Sequence, residues 1–360
     1  MIVVDSHLDL AMNALNWNRD LRLSAHETRA LEAGMTEKGR GAGTVGFPDM
    51  RRGKVALSSA TLIARVAWPG TNVPGYRTAE IAYGHAQGQL AFYRLLEEQG
   101  DVRIIADRAG LEEHLARWQE PLQDEPPLGF FLSMEGADPI VSPEQVGRWW
   151  DEGLRVVSLC HYGISAYSHG TGMPGGLLPA AYDLLAEMEK VGMVLDVSHL
   201  ADEAFFQALD AFGGRVLASH HNCRALVPGD RQLTDEQIRL MIERDGVIGA
   251  ALDAWMIVPG WVKGETKPEA ASMEDYADHI DHVCQIAGNA RHAAIGSDLD
   301  GGYGKEQTPH DLDTIADLQK VPDILRRRGY AEEDVELIMH GNWVRLLREV
   351  LPEPGSHCAP

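Results

Sequence analysis

At 360 residues, 44% apolar and 24% charged, the chain has the composition of a soluble globular protein with room for one large α/β domain or two ordinary ones. Its 32 basic residues against 54 acidic ones give a net charge of −22, which argues against nucleic acid or an anionic membrane as a partner. No stretch approaches the ~18 uninterrupted apolar residues of a membrane span. The N-terminus runs straight into a strand-like segment, without the basic region and cleavage site of a signal peptide. Cys160, Cys223, Cys284 and Cys358 show neither paired spacing nor high density. They read as reduced thiols of a cytoplasmic protein, not as a disulfide framework.

Strand-like runs are expected near residues 2–6, 55–63, 129–135, 154–160, 193–197, 215–219, 246–252 and 293–297. Helical patterns alternate with many of them. Thr78 to Glu98 is amphipathic and ends near Gly100. Ser142-Pro143-Glu144-Gln145 has the form of a capping box with a first-turn proline, leading into the Trp149-Trp150 pair expected in the core. Pro179 to Lys190 is closed by Gly192, and Ala201 to Phe212 by Gly213-Gly214. Thr234-Asp235-Glu236-Gln237 opens another helix, and Met273 to Ala287, Asp313 to Arg328 and Glu332 to Val350 complete the set. Eight strands alternating with helices predict a parallel sheet closed into a (β/α)8 TIM-type barrel, with its site at the C-terminal strand ends. A doubly wound open sheet is the alternative, but it would gather its site at one switch point. No repeat or linker divides residues 1–351, so one barrel domain is expected, with a short tail at 352–360. The segments 16–52 and 253–268 are long for connections. The first is expected at the pocket rim or in a lid, and the second either packs on the barrel top or touches substrate.

The strand ends carry the chemistry. Ile2-Val3-Val4-Asp5-Ser6-His7-Leu8-Asp9 begins as a β-branched run of the kind buried on both faces, then sets His7 and Asp9 two apart, on one side of an extended chain. Phe130 to Gly136 delivers Glu135. Met193 to His199 and Val216 to His220 each deliver a Ser-His pair, and Ala294 to Gly301 delivers Asp298 and Asp300. Five buried strands ending this way are hard to ascribe to coincidence. Three imidazoles and two carboxylates (His7, Asp9, Glu135, His199, His220) suit zinc, with cobalt or manganese as alternatives. Five ligands exceed one tetrahedral ion that must keep an open position. Two ions resolve the count, with His7 and Asp9 on one, His199 and His220 on the other, and Glu135 bridging. Such a pair activates a bridging hydroxide and polarises a carbonyl, so acyl or amide hydrolysis is expected.

The segments Asp5-Ser6-His7-Leu8-Asp9-Leu10, Ser133-Met134-Glu135-Gly136, Leu195-Asp196-Val197-Ser198-His199 and Ser219-His220 resemble the renal (membrane) dipeptidase family, zinc peptidases of the amidohydrolase superfamily of barrels. So do His279-Ile280-Asp281-His282-Val283, Gly296-Ser297-Asp298-Leu299-Asp300-Gly301 and, last in order, Gly341-Asn342-Trp343-Val344-Arg345. The match is collinear over nearly the whole chain. The resemblance implies the same metal set, and it adds three roles. Asp298 matches the acid–base carboxylate, His161 the imidazole that steadies the tetrahedral oxyanion, and Arg231 the arginine that binds the substrate's terminal carboxylate. Two positions depart from the family pattern: Gln232 stands where asparagine usually follows the arginine, and Cys160 replaces a threonine. The signal peptide, lipid anchor and disulfides of animal members have no counterpart here.

Several neighbours compete for these roles. His221 adjoins His220, but successive strand residues face opposite ways, and the Ser-His register favours His220. Asp300 is expected to face the same way as Asp298. Arg231 could instead pair with Asp230 or Asp235 at the surface, with Arg224 as its rival. His161 has a structural alternative at a strand end. Asp196 is either a partner that orients a ligand imidazole or a buried acceptor, and the mid-helix His279 and His282 are expected to be structural. The implied activity is a binuclear zinc dipeptidase, with a D-residue at the C-terminal position as one option. The alternatives are an N-acyl amino acid amidase, a lactonase, or a metal-binding relative without catalysis. The expected partner is a small dipeptide, and a homodimer is compatible with this reading.

Overall fold

The computed structural model describes residues 1–69, 74–119 and 126–355. Cys358 and the end of the tail lie outside the described residues. Nine strands form one all-parallel sheet: β1 (Val3–Asp5), β2 (Val55–Ile63), β3 (Val102–Ile104), β4 (Leu128–Glu135), β5 (Leu154–Ser158), β6 (Val194–Asp196), β7 (Val216–Ala218), β8 (Val247–Ala250) and β9 (Ala293–Ile295). The order runs β2-β1-β9-β8-β7-β6-β5-β4, and β2 pairs again with β4. That last pairing closes eight strands into the expected barrel. The ninth, β3, stands outside the ring and pairs only with the first residues of β4, Val102 opposite Leu128. It went unpredicted because Val102-Arg103-Ile104 is too short for a periodicity to show.

The barrel strands are apolar because both of their faces are covered. Each gives one residue to a shared cluster (Val4, Leu57, Phe131, Val156, Val194, Leu217, Val247, Ala294), and residues from all eight can meet only inside the barrel. Trp343 and Leu347 of the helix Asn342–Val350 join this cluster. Trp343 donates to Ile295 O at 2.8 Å, and Asn342 donates to Ala290 O and Ala293 O, so the Gly341-Asn342-Trp343 motif is a plug for the barrel. Nearer the site the interior narrows. A Cβ on Gly296 would lie 1.8 Å from Ser219 O, so only glycine lets these two backbones approach. The Ser6 hydroxyl donates to the same Ser219 carbonyl and ties β1 to β7 beneath the site.

Most helices stand where the sequence places them. Thr78 caps Ala79–Glu98, Thr234 forms its capping box over Asp235–Glu243, and Gly192 closes Pro179–Val191 at φ 80°. Four differ. The Ser142 box does not form, because Gln145 accepts from Val141 N–H and the segment becomes a short 3-10 turn, Pro143–Gln145, before Val146–Asp151. The helix over Asp202–Ala211 ends where Phe212 turns extended and buries its ring, so Gly213-Gly214 are not its cap. The stretch expected as a helix from Asp313 begins as a 3-10 segment, Ile315–Lys320. A π turn at Leu337–Gly341 interrupts the last helix. The long first connection is not irregular throughout, since it holds helices at Ala25–Leu31 and Phe47–Arg52. Cys160, Cys223 and Cys284 are free and buried. Among the described residues, no helix is long and apolar enough to cross a membrane.

Candidate metal centre and active site

Residues two to four positions beyond β1, β6, β7 and β9, with the last residue of β4, converge at one end of the barrel. Glu135 Oε1 lies at the centre of the group, 3.2 Å from His220 Nε2, 3.3 Å from His199 Nε2 and 3.7 Å from His7 Nε2. His7 Nε2 is 3.9 Å from Asp9 Oδ1, and the His7 and His220 rings stack at 3.7 Å. Two ligand-competent groups, Glu135-His199-His220 and His7-Asp9-Glu135, therefore share Glu135, and a third joins His7, His220 and Asp298. All five residues expected as ligands are at most 4% exposed. His7 Nε2 and Asp9 Oδ1 are buried without a hydrogen-bond partner, and an orphaned buried lone pair is costly unless something absent from the protein fills it. The donor set of three imidazoles and two carboxylates is that of a zinc-type site. The residues fit a metal.

The electrostatics agree. Burial holds the His7 imidazole down at about 3, with Arg231 adding to the effect, and holds His199 and His220 well below their usual range. These rings stay neutral with a lone pair to offer. Burial pushes Asp9 up to about 7 and Glu135 well above the carboxylate range, the latter also through the neighbouring Asp9 and Asp298. A dication would take the place of those protons.

Outer hydrogen bonds select the tautomers. The Ser219 hydroxyl donates to Asp196 Oδ2 (2.5 Å), so the contact of 2.7 Å between Ser219 Oγ and His220 Nδ1 has the ring donating, which leaves Nε2 free for the centre. Thr171 Oγ1 stands 3.0 Å from His199 Nδ1 in the same relation. Asp196 thus bears on the orientation of the His220 ring, and it acts through Ser219. On the opposite side Asp5 accepts from His7 N–H and from the Ser297 N–H and hydroxyl, which sets the end of β1 against the end of β9. Ser219→Ala is expected to lower divalent-metal affinity about 10–100-fold with the fold intact, as read by chelator competition. Unchanged affinity would show that the hydroxyl does not position His220.

The competitions resolve on geometry. Asp298 and Asp300 do not continue a strand: both are left-handed, at φ 58° and 61°, and His199 is too at 67°. The side chains of the two aspartates therefore diverge, contrary to the expectation that they face the same way. Asp300 is locked by Thr44 N–H and hydroxyl, Val45 N–H and Arg19. The Asp298 side chain is 13% exposed and has Oδ1 3.8 Å from His7 Nε2. His221 is buried beside the centre, where its Nε2 accepts from His199 N–H. Arg224 is taken by two parallel bonds to Asp202, which leaves Arg231. Arg231 is only 1% exposed, so it is no surface charge. It donates to His220 O at 2.8 Å, and its Nη1 is buried without a hydrogen-bond partner. His279 is structural, bonded to Cys223 N–H and Ile257 O, and His282 pairs with Asp235. Trp149 and Trp150 are core residues.

A cavity of about 190 Å3 opens over this group, lined by Asp9, Glu135, His199 and His220 together with His161, Arg231 and Asp298. It also holds residues that sequence reasoning missed. Arg65, two positions past β2, meets His161 Nδ1 and donates to Pro74 O. Asp253 accepts from Gln307 and Trp255, and Lys38 and Lys263 stand at the mouth. The position of Arg65 just past a strand end was the available signal.

Residues 1–352 match the family model of the membrane dipeptidases (peptidase family M19). Dipeptidase aclJ of Aspergillus oryzae is 26% identical over 97% of this chain and 78% of its own length. Dipeptidase tcpJ of Claviceps purpurea is 33% identical over 55% of this chain, which spans about half (45%) of that relative. A metallo peptidase from Rhodobacter sphaeroides, solved with a phosphinate mimic of the dipeptide L-Ala-D-Ala, superposes with a TM-score of 0.77 at 22% identity, over 98% of this chain and 99% of that one. The chain belongs to the membrane dipeptidase family, peptidase family M19, as a metallo-dipeptidase.

Proposed function

We propose that residues 1–351 form one catalytic barrel that hydrolyses dipeptides at a binuclear zinc centre, in which His7 and Asp9 hold one ion, His199 and His220 the other, and Glu135 both. The observation that carries this reading is the pair of ligand-competent groups sharing Glu135. When bound, two such ions supply a water of lowered pKa and a Lewis acid for the scissile carbonyl. The protein's own residues do the rest. Arg231, buried with an unpaired Nη1, binds the terminal carboxylate and orients the peptide. Arg65 donates to His161 Nδ1, so the proton of that ring sits on Nε2, on the side of Glu135. From there it donates to the oxyanion that develops at the carbonyl.

Asp298 moves the protons. Burial and the neighbouring Asp9 raise it well above the carboxylate range, so it holds a proton more readily than an ordinary aspartate, as a general acid–base must. Asp298→Asn is expected to cut kcat about 10²-fold with metal content near normal. If Asp298→Asn loses its metal instead, the carboxylate is a ligand and the role assigned here is wrong.

A D-residue at the C-terminal position is part of the proposal, supported by the L-Ala-D-Ala mimic held by the Rhodobacter sphaeroides protein. The deciding assay is a dipeptide library with D- and L-residues, run beside N-acyl amino acids and lactones. Turnover confined to dipeptides is expected. Faster turnover of N-acyl amino acids or lactones would replace this reading with the corresponding amidase or lactonase.

A further inference from the structure

A second cleft, of about 650 Å3, adjoins the catalytic cavity. Lys38 and Lys263 belong to the walls of both, so the two spaces are neighbours at these lysines. Lys267 and Lys305 extend the cationic wall outward. The chain has seven lysines, and four of them stand around this one cleft in a protein of net charge −22. Glu306 is the acidic residue of the lining, and Lys305 is tied to Asp313. Among the described residues, no carboxylate forms an ion pair with Lys38, Lys263 or Lys267. Asp253, whose charge acts on Lys263, already accepts from Gln307 and Trp255. Instead, Lys263 Nζ lies 4.1 Å from the Trp255 ring centroid and 5.9 Å from that of Tyr162. Aromatic faces hold an ammonium in place without neutralising it. Trp261, in the same wall, carries a buried indole N–H with no hydrogen-bond partner.

The proposed mechanism leaves these groups without a task. One guanidinium, Arg231, serves the terminal carboxylate, and a neutral dipeptide brings no second anion. Lysines drawn from three separate loops converge on one mouth, where Asp253, the carboxylate that acts on both Lys263 and Lys38, is a single charge already held by Gln307 and Trp255. They also reverse, locally, the repulsion that so acidic a protein exerts on an acidic substrate.

We propose that this cleft is a side-chain subsite for a second carboxylate, so that the preferred substrates are dipeptides with an acidic side chain. This rests on the dipeptidase reading above. The second carboxylate reaches past the metal centre to Lys263 and Lys38, with Lys267 behind them. Because the lysines are exposed, each contributes modestly, and the selectivity comes from their sum. The effect is screened by salt.

The test uses the zinc-loaded full chain and compares kcat/KM for Glu-Ala with Gln-Ala, and for Ala-Glu with Ala-Gln, in both stereochemistries. Gln matches Glu in shape and removes only the charge. An acidic member is expected to be favoured about tenfold, and the double variant Lys263→Gln, Lys267→Gln to reduce that ratio to about twofold, since exposed charge pairs give up to about fivefold each. Raising the salt from about 10 mM to about 300 mM should shrink the wild-type ratio in the same way. Both lysines are exposed, so the substitutions leave the fold in place. Equal turnover of the Glu and Gln members would overturn the subsite and leave the dipeptidase reading standing. So would a preference that survives both the double variant and high salt. Failure to cleave any dipeptide would overturn both.

Discussion

Arg231→Ala is expected to lower kcat/KM for dipeptides by roughly 2–5 kcal/mol, about 30- to 5,000-fold, because it strips a buried carboxylate of its partner. The guanidinium is 1% exposed, it is anchored by one bond to His220 O, and Nη1 has no other claim on it. A guanidinium so placed grips a carboxylate through two parallel charge-assisted bonds. Lysine should restore only part of the loss, since a point charge lacks the planar fork. A dipeptide amide, which has no terminal carboxylate, should be a poor substrate for the wild type and lose little more in the variant. Equal losses on dipeptide and dipeptide amide would show that Arg231 does not read the terminus. Arg65 would then be the cation to examine, because Arg224 is held by Asp202.

Glu135→Ala is expected to lower metal content and turnover together, with turnover falling about 10³-fold or more. Loss of a mere outer partner of a metal already costs about 10–100-fold. Glu135 Oε1 is within 3.7 Å of His7, His199 and His220, so no other side chain can replace it in both ligand groups. Its removal also leaves the imidazoles facing one another, with the Nε2 atoms of His199 and His220 only 3.0 Å apart. A variant that kept full metal content and lost only rate would make Glu135 a proton carrier, not a shared ligand.

The barrel was legible because parallel strands covered on both faces read as apolar runs, and because the residues that follow them change character abruptly. His7, Glu135, His199 and His220 stand where such runs stop. What escaped the sequence has physical reasons. Arg65 follows a strand end but is no metal ligand, and nothing in its neighbours says that it turns back onto His161. Asp300 was misjudged because strand alternation was carried past Ile295, where the backbone turns left-handed at Asp298 and Asp300. The partners of Asp300, Thr44 and Val45, come from the long first connection, a pairing that no local pattern encodes. Lys263 belongs to a loop whose composition offered packing and substrate contact equally.

Stepwise zinc titration of the metal-free chain decides whether two metals shared by Glu135 drive dipeptide hydrolysis. Bound zinc is measured by elemental analysis, and turnover of a dipeptide such as L-Ala-D-Ala is followed at each step. Turnover is expected to rise until two zinc ions are bound per chain and to stay flat beyond, with the thermal midpoint rising alongside, since ligand at a thousandfold its dissociation constant adds about 4 kcal/mol to the folded state. Full activity at one bound zinc per chain would contradict the shared-carboxylate centre.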